Sequence, residues 1–241
     1  VEPSDTIMVE DEDYDADGNT NLTIEIPVTI MSVNGPENCI FNVGDENSDW
    51  ITMEAECTII GLTINSAVNT IRATDIDNIL VKDCIVSESS ENGIWLVDCD
   101  NFRIVNCQCI ENGPDGSGLR TENSGGLLSN SVFDSNSREG GSGGGIHFRE
   151  SDDQLNLIVE NCLFSENFAS AYGGAVYMTG IEDCLFRNCQ ISGNQVEESN
   201  GGGICITGSS NVRFESCIIS ENETPRSGGG FYISGGSVVD V

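Results

Sequence analysis

The hexapeptide GGGIHF at residues 143–148 returns as GGAVYM at 173–178, GGGICI at 201–206 and GGGFYI at 228–233. A tetrapeptide recurs with it: FDSN from residue 133, FSEN from 164, ISGN from 191 and ISEN from 219. Recurrence every roughly 20 to 30 residues is the spacing of a solenoid, in which each repeat forms one coil. Working outward from the glycines, Ile51, Ile71, Ile94, Leu119, Ile146, Val176, Ile204 and Phe231 fall in one apolar column. A second column reads Ile59, Val81, Ile104, Leu128, Val159, Phe186 and Phe214. A third, five residues further along each coil, reads Ile64, Val86, Cys109, Phe133, Phe164, Ile191 and Ile219.

Strand side chains alternate faces, so positions five apart share a face only if a residue between them bends the chain. That residue is Gly61, Asp83, Asn106, Asn130, Asn161, Asn188 or Ser216 in successive coils, types that tolerate the left-handed conformation of a tight bend. Each coil is then a strand, a sharp bend, a strand, a looser turn and the glycine-led strand. Stacked, such coils predict an all-β parallel β-helix of eight or nine coils with three short strands per coil. No stretch keeps a helical apolar period. Stacking also turns Asn112, Asn136, Asn167, Asn194 and Asn222 into a ladder of amides inside one turn. Stacked strands are about 4.8 Å apart whereas disulfide Cβ atoms want about 3.8 Å, so Cys84, Cys107, Cys162, Cys189 and Cys217 are expected as free core thiols.

The chain has 241 residues, and no apolar run approaches the roughly 18 residues of a membrane span, so this segment should not insert into a membrane. Forty acidic against nine basic residues give a formal charge of -31, which disfavours nucleic acid and anionic lipid and favours cations, neutral polymers or basic surfaces as partners. Without an initial Met or a leader, and ending within a repeat at SGGSVVDV, the sequence reads as a segment of a longer chain. Residues 1–241 are expected to form one domain. Residues 1–48 supply N-terminal coils with an acidic loop, and residues 49–241 supply the regular coils.

The paired GGA[I/V/L]-like and F-x-x-N motifs resemble the polymorphic outer-membrane protein repeats of secreted bacterial β-helix proteins. DTIMV at 5–9 and PVTIMSVNGPENCIF at 27–41 look like the opening coils of the pectin-lyase-like superfamily. The resemblance implies a right-handed helix, export to an extracellular or cell-surface location, and adhesive work. On that basis the expected function is a non-catalytic passenger or adhesin that binds a glycan or a surface protein. The alternatives are a polysaccharide lyase or glycoside hydrolase, and a filament subunit that self-associates end to end.

Candidate functional residues lie on the glycine-led strand. The residue after each apolar one should face outward, giving Arg72, Trp95, Arg120, His147, Tyr177, Cys205 and Tyr232. Rings and guanidinium groups in a line suit stacking on sugars or gripping an acidic polymer. Arg72, Trp95, Arg120, His147, Tyr177 and Tyr232 are therefore the candidate ligand-binding residues. If the chain is an enzyme, Arg120, His147 and Arg149 are the candidate catalytic set, with Asp152 and Asp153 nearby. The plainer alternative is that His147 is an exposed strand residue with no task. The variable turns GPDGS, SREGGS, FASAY, QVEESN and ETPRS, which follow the asparagines, are expected to carry recognition. In DEDYDADGNTN, residues 11–21, Asp13, Asp15 and Asp17 followed by Gly18 reproduce the start of a calcium loop. The twelfth position is Ile24 rather than Glu, and strands flank it, so a solvated acidic loop is the competing reading.

Overall fold

The computed structural model describes residues 2–15, 18–44, 47–150 and 156–241. All seven bend residues from Gly61 to Ser216 take positive φ, between 52° and 68°. Asparagine is frequent among them because its short polar side chain tolerates this conformation at small cost. Each bend separates a strand of a ten-stranded sheet from a strand of a nine-stranded one. The first sheet runs from Thr6–Val9 to Val239–Asp240, the second from Glu12–Tyr14 to Ile218–Ser220. A third, nine-stranded sheet runs from Leu22–Ile24 to Phe231–Ser234 and contains the glycine-led strands. The strands of all four sheets pair in parallel, with one isolated antiparallel bridge between Asp115 and Arg138, so the chain is a β-solenoid, and no helix occurs among the described residues.

Register reproduces the sequence columns. Ile59 pairs with Val81 and Val81 with Ile104 in the first sheet, Ile64 with Val86 in the second, and Ile71 with Ile94 in the third. These side chains are fully buried and fill the space between the three sheets. Like stacks on like along the axis: Phe133 lies on Phe164 with ring centroids 5.3 Å apart, and Phe186 on Phe214 at 4.8 Å.

The asparagine ladder holds as expected. Asn112, Asn136, Asn167 and Asn194 each donate from Nδ2 to the next Oδ1 at 2.8 to 2.9 Å, and each backbone N–H donates to that same oxygen. Buried amides are thus satisfied by their neighbours rather than by water. All eleven cysteines are free, ten of them buried. The repeated glycines have two separate reasons. Gly143, Gly173, Gly201 and Gly228 turn the chain at φ of 59° to 74°, whereas a Cβ on Gly144 would penetrate the carbonyl oxygen of Phe168 on the next coil.

Two features depart from the sequence reading. The turns after the asparagines were expected to be loops, yet Ser137–Arg138, Phe168–Ala169 and Gln195–Val196 form a fourth, three-stranded sheet. The ladder beneath them holds successive turns in register long enough for two residues to pair. The acidic stretch was expected as a loop, yet Glu12–Tyr14 is a strand paired with Cys39–Asn42. Tyr14 accounts for this, because its ring stacks on Phe41 at 4.8 Å and extends the core.

Candidate active site

Alternation on the third sheet sets every second side chain outward, and the register aligns Arg72, Trp95, Arg120, His147, Tyr177, Cys205 and Tyr232. The row is not the open platform expected. Cys205 is fully buried, and the other six are half-buried. Trp95 does not offer a free face, since the Arg72 guanidinium lies 4.6 Å from its ring centroid and that of Arg120 5.2 Å. Two cations on one indole fix its orientation, at about 0.5 to 2 kcal/mol each. Tyr232 stands two strands beyond Tyr177 and joins no ring contact among the described residues, so the central site comprises Arg72 to Tyr177.

The next outward row on the same strands brings in Glu122 and Arg149. Glu122 accepts from Arg120 Nη2 at 2.6 Å, and its second oxygen lies 3.9 Å from Arg149 Nη1. Arg138 reaches in from the fourth sheet. Its Nη1 contacts His147 Nδ1 at 2.5 Å and donates to Ser142 O at 3.1 Å and Ser117 Oγ at 3.2 Å. A Cβ on Gly141 would stand 2.5 Å from Arg138 Nε, so glycine there lets the side chain cross the turn. On the other side, the Tyr177 ring meets His147 edge-on at 5.1 Å, and Tyr172 stacks on Tyr177 at 6.1 Å.

Electrostatics follow from this crowding. Burial, then the charges of Arg138, Arg120 and Arg149, push His147 down to about 3, so it is neutral near neutral pH. His147 is thus half-buried rather than an exposed strand residue. Burial and then Arg120 lower Arg138 to about 10, which leaves it cationic. Burial raises Tyr177, which keeps its proton. Trp95 Nε1 and Arg120 Nε are buried without a hydrogen-bond partner. The site is rich in donors and short of acceptors.

The structure thus brings Arg72, Trp95, Arg120, His147, Arg149 and Tyr177 together, and adds Arg138, Glu122 and Tyr172. Arg138 and Tyr172 belong to SREGGS and FASAY, the turns expected to carry recognition. Nothing in the repeat columns says that those turns fold back over the third sheet. Asp152 and Asp153 lie outside the described residues. So does Asp17; Asp13 sits in a strand with Asp15 just after it, and no group of three or more His, Cys, Asp or Glu among the described residues could hold a metal.

The chain belongs to the right-handed β-helix family: the model described as the right handed beta helix region matches residues 31–164 and 139–241. Among solved structures, it is similar to a mutant of the periplasmic alginate epimerase AlgG, at 12% identity and a TM-score of 0.58, covering 100% of this chain and 78% of that one. It is also similar to the catalytic domain of a GH87 α-1,3-glucanase in complex with nigerose, at 11% identity and a TM-score of 0.50. That match covers 97% of this chain and spans 64% of the glucanase domain. At these identities the likeness is one of fold. No curated protein sequence matches the chain significantly. The expectation of a non-catalytic adhesin is overturned by these neighbours, which are enzymes.

Proposed function

We propose that this protein acts on an acidic polysaccharide, breaking the C–H bond beside a uronate carboxylate, as an epimerase or a lyase does. One observation carries the reading: Arg120, Arg138 and Arg149, three of nine basic residues, gather around the sole histidine of a chain with a formal charge of -31, and Arg72 extends the row from the far side of Trp95. A polyanion repelled elsewhere finds positive potential here. Guanidinium groups match a carboxylate in shape and charge, and they stabilise the charge that builds on it as the neighbouring C–H is broken. His147, neutral near neutral pH, accepts that proton, while its electron pair moves toward the carboxylate. Return of a proton to the carbon, with the Tyr177 hydroxyl as donor, gives epimerisation. Departure of the adjacent glycosidic oxygen gives elimination. A bound carboxylate offsets the guanidinium charges that hold His147 low, raising its basicity when substrate arrives.

The names of the structural neighbours support action on a polysaccharide, and the charge of the site favours an acidic polymer over a neutral one. Hydrolysis is the weaker reading. It needs two carboxylates flanking the scissile bond, whereas the two outward rows contain one, Glu122, already engaged by Arg120. We also assign the repeat motifs to the polymorphic outer-membrane type and the protein to an exported location.

The test compares a polyuronate with the same polymer after carboxyl reduction. Conversion of the former, none of the latter, and a drop of about 100-fold or more in Arg120→Ala are expected, in line with loss of one charge-stabilising donor. Equal conversion of both polymers would overturn carboxylate recognition.

A further inference from the structure

His147 has one ring nitrogen already occupied. A guanidinium has only donors, so at the 2.5 Å contact between Arg138 Nη1 and His147 Nδ1 the histidine nitrogen must be the acceptor. A neutral imidazole carries one proton, which then sits on Nε2. We infer that Arg138 is a latch on His147: it fixes the Nε2-protonated tautomer, caps the Nδ1 lone pair, and releases that lone pair when a ligand carboxylate draws the guanidinium away. Arg138 is thus a positioning residue for the proton transfer proposed above, and the inference rests on that reading.

Three observations support the latch. Arg138 makes no ion pair among the described residues, although Arg120 and Arg149 share Glu122. Its other acceptors are neutral, the carbonyl of Ser142 and the hydroxyl of Ser117, which itself donates to Gly143 O. A carboxylate forms stronger, charge-assisted bonds than either and would win the guanidinium. Finally, Arg138 sits in the two-residue strand Ser137–Arg138 beside Gly140 and Gly141, on a turn rather than in the core. The side chain can swing without disturbing the coil.

As the sole histidine, His147 gives a single pair of imidazole nitrogen signals in the full chain labelled with nitrogen-15 histidine. The latch predicts a protonated Nε2 and a bare, hydrogen-bonded Nδ1 near neutral pH. An oligouronate should shift the Nδ1 signal toward that of a free lone pair, and a neutral glucan oligomer should not. In Arg138→Gln, with circular dichroism confirming the fold, the tautomer preference should be lost. The ring should also titrate well above the wild-type value, with Arg120, Arg149 and Tyr177 still facing it. A wild-type ring protonated on Nδ1, or an Arg138→Gln ring unchanged in tautomer and titration, overturns the latch. A pinned tautomer that no oligouronate disturbs overturns the release step. If the nitrogen signals behave as predicted but polyuronate is never converted, the latch stands and the proposed reaction fails.

Discussion

A histidine kept neutral by burial and three nearby guanidinium groups lowers stability in acid. Its folded-state value of about 3 lies below the ordinary 6.5. As pH falls, the unfolded chain binds this proton first, so stability is full above 6.5 and is lost from there down through 3. Between roughly pH 7 and pH 4 the wild type should lose about 3 kcal/mol more than His147→Gln, a loss read from urea unfolding at the two pH values. Equal losses would mean that the ring is not held neutral. At this scale the sequence showed part of the site. Arg120, His147 and Arg149 could be read from register alone, because strand alternation assigns their side. Arg138 could not, because its position depends on how a variable turn folds back, which no period encodes. Trp95 was legible as an outward ring but not as one flanked by two cations.

At the scale of the element, the asparagine ladder ties one coil to the next. Asn167 donates to Phe133 O and Asn194 Oδ1, and accepts at Oδ1 from the backbone and side-chain N–H groups of Asn136. Asn167→Ala therefore strands several buried polar groups at once. At about 1 to 3 kcal/mol for each, a loss of about 4 kcal/mol is expected in chemical denaturation. A loss under about 1 kcal/mol would show that water replaces the amide. The ladder was legible because its asparagines recur in a column with a fixed partner motif. The fourth sheet was not, since two-residue strands in turns of varying composition carry no alternation to detect. The strand Glu12–Tyr14 was hidden for a related reason: its acidic neighbours read as a calcium loop, while the stacking of Tyr14 on Phe41 decides its structure.

Across the whole molecule, buried thiols set an upper pH limit. Burial pushes Cys57, Cys99 and Cys205 up to about 11 from an ordinary 9.0. Above 9 the unfolded chain gives up these protons first, so stability should be full below that pH and fall as pH rises toward 11. The urea midpoint followed against pH checks this, and a flat profile through that window would contradict it. The fold was legible because every coil repeats the same physical demands of bend, ladder and apolar face. Function was not, because repeats describe the rod while the proposed chemistry rests on side chains that break the repeat. Net charge gives no local guide for the same reason: taken over the chain it disfavours a polyanion, while the proposed reading rests on four arginines along one face. The most direct test of the proposed chemistry is proton NMR of a polyuronate incubated with the protein in D2O, observed at the hydrogen on the carbon that bears the carboxylate. Loss of that signal, by deuterium exchange with inversion or by formation of an unsaturated end, and its persistence with His147→Gln, is the predicted result. An unchanged signal alongside shortening of a neutral glucan would contradict the account.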